Sequence, residues 1–299
     1  MWFYFGLATV FFLSLNNICK KFSVKDNAVF PLLLATNGFS LLYLVPVFTL
    51  SYTHPELLES YNLGIPSLSW TDHFFIAIKS LLMTISWVLA FFALKHLPLT
   101  IVSPIRSSGP FFTLIGALLI YGETPTLIQW LGFFLIIDAM LSYANIGISE
   151  GIDFKNNKWI WGIVGATIFG SSSGLYDKFL IQQQAYSTTT VQWWFFVYVV
   201  LFLSILVVLV WRPNRQRYGN FKWSWTIPCI GILMVFADFF YFTGLQDPEA
   251  LIMLMSAIKR SQMVFTIIIG GLIFREKNKR QKLLPLAGVV LGVICLIQT

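Results

Sequence analysis

Apolar segments of eighteen or more residues recur along the whole of this 299-residue chain, separated by short polar breaks. About twenty apolar residues in an α-helix span the ~30 Å hydrocarbon core of a bilayer, and inside that core every backbone N–H and C=O must find its partner within the protein. A chain made of such segments is therefore expected to cross the membrane repeatedly as helices. Composition agrees: 57% of residues are hydrophobic, 17% aromatic and 11% charged, with mean hydropathy +0.75. A soluble domain carries about a quarter of charged residues. Cys19, Cys229 and Cys295 have neither metal-ligand spacing nor an even count, and read as packed thiols.

Hydropathy divides the chain into ten spans, roughly Trp2–Ile18, Val29–Leu50, His73–Leu94, Leu99–Tyr121, Leu127–Ala144, Trp159–Ile181, Val191–Trp211, Trp225–Leu245, Ala250–Phe274 and Leu284–Ile297. The first lacks a basic leader and a small-residue cleavage site, so it reads as a retained helix. One stretch is written twice. Ile105–Glu123 aligns without a gap on Ile258–Glu276, pairing Arg106 with Lys259, Phe112 with Phe265, Thr113 with Thr266 and Glu123 with Glu276. Phe12, Ser14 and Lys21-Phe22 of the first span likewise return as Phe169, Ser171 and Lys178-Phe179 of the sixth. The expected fold is thus all-α integral membrane: ten transmembrane helices in two five-helix repeats, residues 1–146 and 159–299, joined by a linker over 147–158. An odd number of helices reverses the second copy in the membrane, which makes the repeats inverted and puts a site near the midplane between them.

Loop charge orients the chain. The breaks after spans one, three, five, seven and nine hold 3, 1, 2, 4 and 5 Lys or Arg, fifteen in all, and the opposite loops hold none clearly outside a span. By the positive-inside rule those fifteen face the cytoplasm and both termini lie outside, in a cell (inner or plasma) membrane. The same basic loops account for the net charge of +7, so no nucleic-acid partner is expected.

Two five-helix repeats, a fourth helix in each that ends in Glu123 or Glu276, and Ala93-Leu94-Lys95-His96-Leu97-Pro98 echoed by Gly244-Leu245-Gln246-Asp247-Pro248 resemble the EamA-type branch of the drug/metabolite transporter superfamily. The resemblance covers essentially the whole chain. It implies an alternating-access carrier with a central cavity, in which helix pairs of each half rock against those of the other, and a small-molecule substrate of unspecified kind.

The substrate class is read from buried charge. Of twenty basic residues, Lys79, Arg106, Lys178, Lys259 and Arg260 lie within or at the edges of spans; of thirteen acids, only Asp138, Asp177 and Asp238 lie similarly deep. A cation at the centre of a membrane helix costs about 2.5–3.5 kcal/mol on the insertion scale, so a duplicated one calls for a reason. Arg106 and Lys259 both fall near mid-membrane, with Thr113 and Thr266 on the same helical faces. A guanidinium fork with an ammonium suits a phosphate or carboxylate. The basic pair Lys259-Arg260 with a fourth-helix cation also resembles the phosphate site of plastid sugar-phosphate/phosphate translocators. There the fourth-helix cation is lysine where this chain has Arg106, and their tyrosine matches Tyr241. The expected function is secondary-active carriage of a small organic anion, a phosphorylated metabolite, with exchange as one mode. The alternative is a proton-coupled exporter of amino acids or other neutral or zwitterionic metabolites, using Asp138 or Asp238.

Trp87 and Tyr241 are expected to wall the cavity. Glu123 and Glu276, repeated at span ends, read as architectural or gating. Lys178, next to Asp177, is expected to snorkel towards an interface. Pro104 and Pro110 are expected to bend span four beside Arg106. No phosphate loop, His/Glu metal pair or paired-aspartate motif occurs, so neither an enzyme, a metal nor a cofactor is expected.

Overall fold

The computed structural model describes residues 1–59, 63–98, 101–102, 105–106, 108–124, 126–149, 156–262 and 283–297. Among them regular structure is helical. The main helices are α1 (Trp2–Val24), α2 (Val29–Thr53), α3 (Trp70–His96), α4 (Gly109–Tyr121), α5 (Leu127–Ser149), α6 (Lys158–Lys178), α7 (Thr188–Trp211), α8 (Thr226–Leu245), α9 (Ile252–Arg260) and α10 (Leu283–Ile297). Of these, α1, α2, α3, α7 and α8 are each long and apolar enough to cross a membrane. Wider π-type turns close α4 and α7, and a third, Phe179–Gln183, extends α6.

Local chemistry sets the helix starts. In α3 a capping box forms: the Ser69 hydroxyl accepts the Asp72 N–H at 3.3 Å, and the Asp72 carboxylate accepts the Ser69 N–H at 2.9 Å. Asn157 accepts the Trp159 N–H at 2.9 Å to open α6, and Ser187 accepts the Thr190 N–H at 3.2 Å to open α7.

Three expectations change. α1 runs on to Val24, past the expected end near Ile18, because its two lysines find partners inside the protein. Lys21 Nζ donates to the Leu94 and Leu97 carbonyls at 2.9 and 3.0 Å, closing the end of α3. Lys20 turns inward over aromatic rings and leaves the tally of loop cations. The fourth span is broken rather than bent. Residues 105–106 are helical, Ser108 turns, and α4 starts afresh at Gly109-Pro110, where the missing proline N–H costs nothing. The carbonyls at the break are met by hydroxyls: Ser108 Oγ donates to Ile105 O at 2.7 Å and Ser171 Oγ to Gly109 O at 3.0 Å. Finally, α9 breaks after Arg260 with a turn at Ser261, whose N–H reaches back to the Ile258 carbonyl at 2.9 Å, and Gln262 is helical again; the remainder of the span expected to run to Phe274 lies outside the described residues. Thr266 and Glu276 lie outside the described residues.

Packing follows one pattern. α1 packs on α8, α3 on α6, α2 on α8, α3 on α7, α5 on α10, α2 on α7, α4 on α6, α4 on α9 and α1 on α9. Exchanging α1–α5 with α6–α10 leaves this set unchanged. Every extensive interface between main helices, among the described residues, joins one half to the other. Small residues and polar cross-links permit the close approach. A Cβ added to Gly231 of α8 would lie 2.8 Å from Phe39 Cβ and 3.0 Å from the Ser40 nitrogen and Thr36 oxygen of α2. Asn16 Nδ2 donates to Ile230 O at 2.9 Å, Ser40 Oγ to Gly231 O at 3.1 Å, and Ser86 Oγ to Ala166 O at 2.6 Å.

Candidate functional site

Among the described residues, six basic side chains meet buried carboxylates or line the central cavity, and two of the six pair with carboxylates. Lys79 Nζ lies 2.5 Å from Asp177, both groups being at most 3% exposed, and the ammonium sits 4.5 and 4.7 Å from the ring centres of Phe195 and Phe242. Lys178 Nζ lies 2.5 Å from Glu123. Asp177 and Lys178, adjacent in sequence, do not pair with each other. Consecutive helical residues point about 100° apart, so each takes a partner on a different neighbour and Lys178 does not snorkel outward. Glu123 also holds a helix end, since its oxygens accept the Ile252 and Met253 N–H groups at 3.1 and 3.4 Å. A carboxylate from the end of the fourth helix thereby caps the first turn of α9, where the helix dipole favours negative charge.

The other four, Lys20, Arg106, Lys259 and Arg260, line one buried cavity of about 90 Å³. Lys20 Nζ stands 5.9 Å from the ring centre of Trp87 and 5.7 Å from that of Phe91. Lys259 Nζ stands 3.7 Å over the Tyr241 ring. Glycines make room for the guanidinium groups: a Cβ at Gly109 would meet Arg260 Nε at 3.0 Å, and one at Gly170 would lie 3.8 Å from an Arg106 nitrogen. Lys259 and Arg260 close α9, so both reach the cavity although they point apart on the helix. Among the described residues, no carboxylate lies within 4.0 Å of Lys20, Arg106 or Lys259.

Arg106, Lys259, Arg260 and Trp87 are thus brought to one cavity, with Tyr241 fully buried behind Lys259. Thr113 is elsewhere: its hydroxyl is 3.2 Å from Ser256 Oγ, a contact between α4 and α9. Asp238 is buried, 5% exposed, in the field of Lys259 and Lys79. Asp138 is exposed on α5 and does not line the cavity. Lys20 and Asp177 line the cavity without having been given a role there by the sequence, which counted Lys20 with a loop and listed Asp177, like its partner Lys79, only as a deep charge. Hydropathy alone counts Lys20 with the loop. The spacing that matches Lys21 with Lys178 also sets Lys20 opposite Asp177, and that signal was readable.

Long apolar helices gathered around a charged cavity point to a multi-pass membrane protein. The chain belongs to the EamA-like transporter family, whose model matches residues 1–142 and again 157–298, the two halves that the packing exchanges. Members of that family are transporters and not enzymes. Of the solved structures, 27 chains match; one, described as a crystal structure of a protein, superposes with a TM-score of 0.68 over 99% of this chain and 96% of that one, at 12% identity. At that identity the likeness is one of fold. No curated protein matches the chain.

Proposed function

We propose that the protein is a secondary-active, alternating-access carrier of a small organic anion, most simply one bearing a phosphate. The observation that carries this reading is the convergence of Arg106 and Lys259, neither with a carboxylate within 4.0 Å among the described residues, on the cavity that Arg260 also lines. A buried cation needs a counter-charge, and a charge that comes and goes with the ligand supplies it without a permanent pair. The likeness of the basic pair Lys259-Arg260 to the sugar-phosphate translocators points the same way. Small-molecule sites commonly have about 300–1,000 Å³, so a cavity of about 90 Å³ must widen to admit a metabolite. Helices parting on one side at a time is what alternating access requires. The ten spans in two inverted repeats, the outward termini and the cell membrane belong to the same proposal; with Lys20 withdrawn, fourteen loop cations still favour that orientation.

The test is thermal unfolding of the detergent-purified protein against phosphate, sulfate, phosphate monoesters, amino acids and choline. A ligand at a hundred times its Kd stabilises by about 2.7 kcal/mol. Stabilisation by phosphate esters that disappears in Lys259→Ala supports the anion site. Stabilisation by amino acids or choline alone overturns it and favours proton-coupled export, for which buried Asp238 is the better-placed carboxylate and exposed Asp138 the worse.

A further inference from the structure

The repeats put unlike charges at one equivalent position. Lys20 of α1 and Asp177 of α6 correspond at the spacing that matches Lys21 with Lys178, and both line the central cavity. Asp177 is neutralised within the protein by Lys79 at 2.5 Å. Lys20 is not: among the described residues it has no carboxylate within 4.0 Å, and its ammonium stands 5.9 Å from the ring centre of Trp87 and 5.7 Å from that of Phe91. Ring faces attract an ammonium and hold it in place, but they supply no anion. Arg106 and Arg260 lie against Gly170 and Gly109, whereas Lys20 borders a second recess of about 10 Å³ whose lining includes Thr36, Asn37 and Ser40.

We propose that Lys20 is a substrate-binding residue, and that the ligand carries a second anionic group, a carboxylate or another acid set apart from its phosphate. This rests on the reading of Arg106 and Lys259 as a phosphate site. A phosphate oxygen set is met by the guanidinium fork and Lys259; Lys20, aimed into the same space from α1, meets a second acid at the far end of the same molecule.

The experiment uses three probes of one skeleton, methylphosphonate, phosphonoacetate and phosphonoacetamide, titrated by ligand-induced stabilisation of the full chain and of Lys20→Met. The parent is expected to bind phosphonoacetate about 10- to 100-fold more tightly than its neutral amide, the worth of a hydrogen bond to a charged group. Lys20→Met is expected to erase that preference and leave methylphosphonate within about twofold of the parent. Equal weakening of all three probes, or of none, overturns the role of Lys20 while leaving the phosphate site standing. A parent that binds methylphosphonate but does not prefer the acid over the amide also overturns it, and that measurement needs no variant to fold. A parent that binds none of the three removes the phosphate reading and this proposal together.

Discussion

Lys79 and Lys20 are both lysines in apolar helices, and the protein treats them in opposite ways. Lys79 is sealed with Asp177 between two phenylalanine rings; Lys20 faces the cavity. A sealed pair that loses one partner leaves a lone buried charge, which costs about 3–5 kcal/mol, while an apolar replacement of both can be neutral. Asp177→Asn and Lys79→Met are each expected to lower stability by that amount, and the double variant to recover most of it, as read by a double-mutant cycle of unfolding midpoints. Arg106→Ala and Lys259→Ala follow a different course: transport in proteoliposomes falls tenfold or more, by about 1.4 kcal/mol at least, while the midpoint without ligand holds or rises. Arg106 and Lys259 stood out in the sequence because duplicated cations in apolar segments do, and the fold gathers both at one cavity. Lys20 did not stand out, because a lysine near the end of a hydrophobic run looks the same whether it reaches water or folds back over Trp87.

At the scale of the element, the contact between α2 and α8 and the junction between α4 and α9 bear most on function. Gly231 lets α8 lie against the α2 backbone, and an added methyl meets main-chain atoms that no rotamer change can move. Gly231→Ala is therefore expected to destabilise the protein by about 1–3 kcal/mol, seen as a lower midpoint with unchanged ligand specificity. Glu123 reaches both Lys178 and the first turn of α9. Glu123→Gln keeps one acceptor oxygen for the helix but leaves Lys178 without its carboxylate, so it is expected to cost less than Glu123→Ala; equal losses would show that the cap contributes nothing. The position of Glu123 at a span end was readable from hydropathy, but its bond to α9 depends on residues 129 and 130 positions away. Helix breaks were harder. Hydropathy runs straight through Ser108 and Ser261, since both breaks are satisfied by internal hydrogen bonds rather than by polar loops.

Among the described residues, the whole molecule is assembled from halves that pack chiefly against each other. The repeats of sequence are therefore not separable bodies, and a motion that parts the helices must carry mixed sets, such as α1 and α2 with α8, and α6 and α7 with α3. Neither half is expected to survive alone in detergent. Co-expressed as two chains divided within 150–155, they are expected to copurify, and recovery of either half as a stable monomer would contradict the interdigitated packing. Interlocking of this kind also leaves a mark on inheritance. A substitution in one repeat alters a surface belonging to the other, so correlated changes among relatives are expected between distant positions, such as Gly231 of α8 with Phe39 of α2, whose side chain a Cβ at Gly231 would meet at 2.8 Å. Each copy of the repeat has had to evolve as the other's environment.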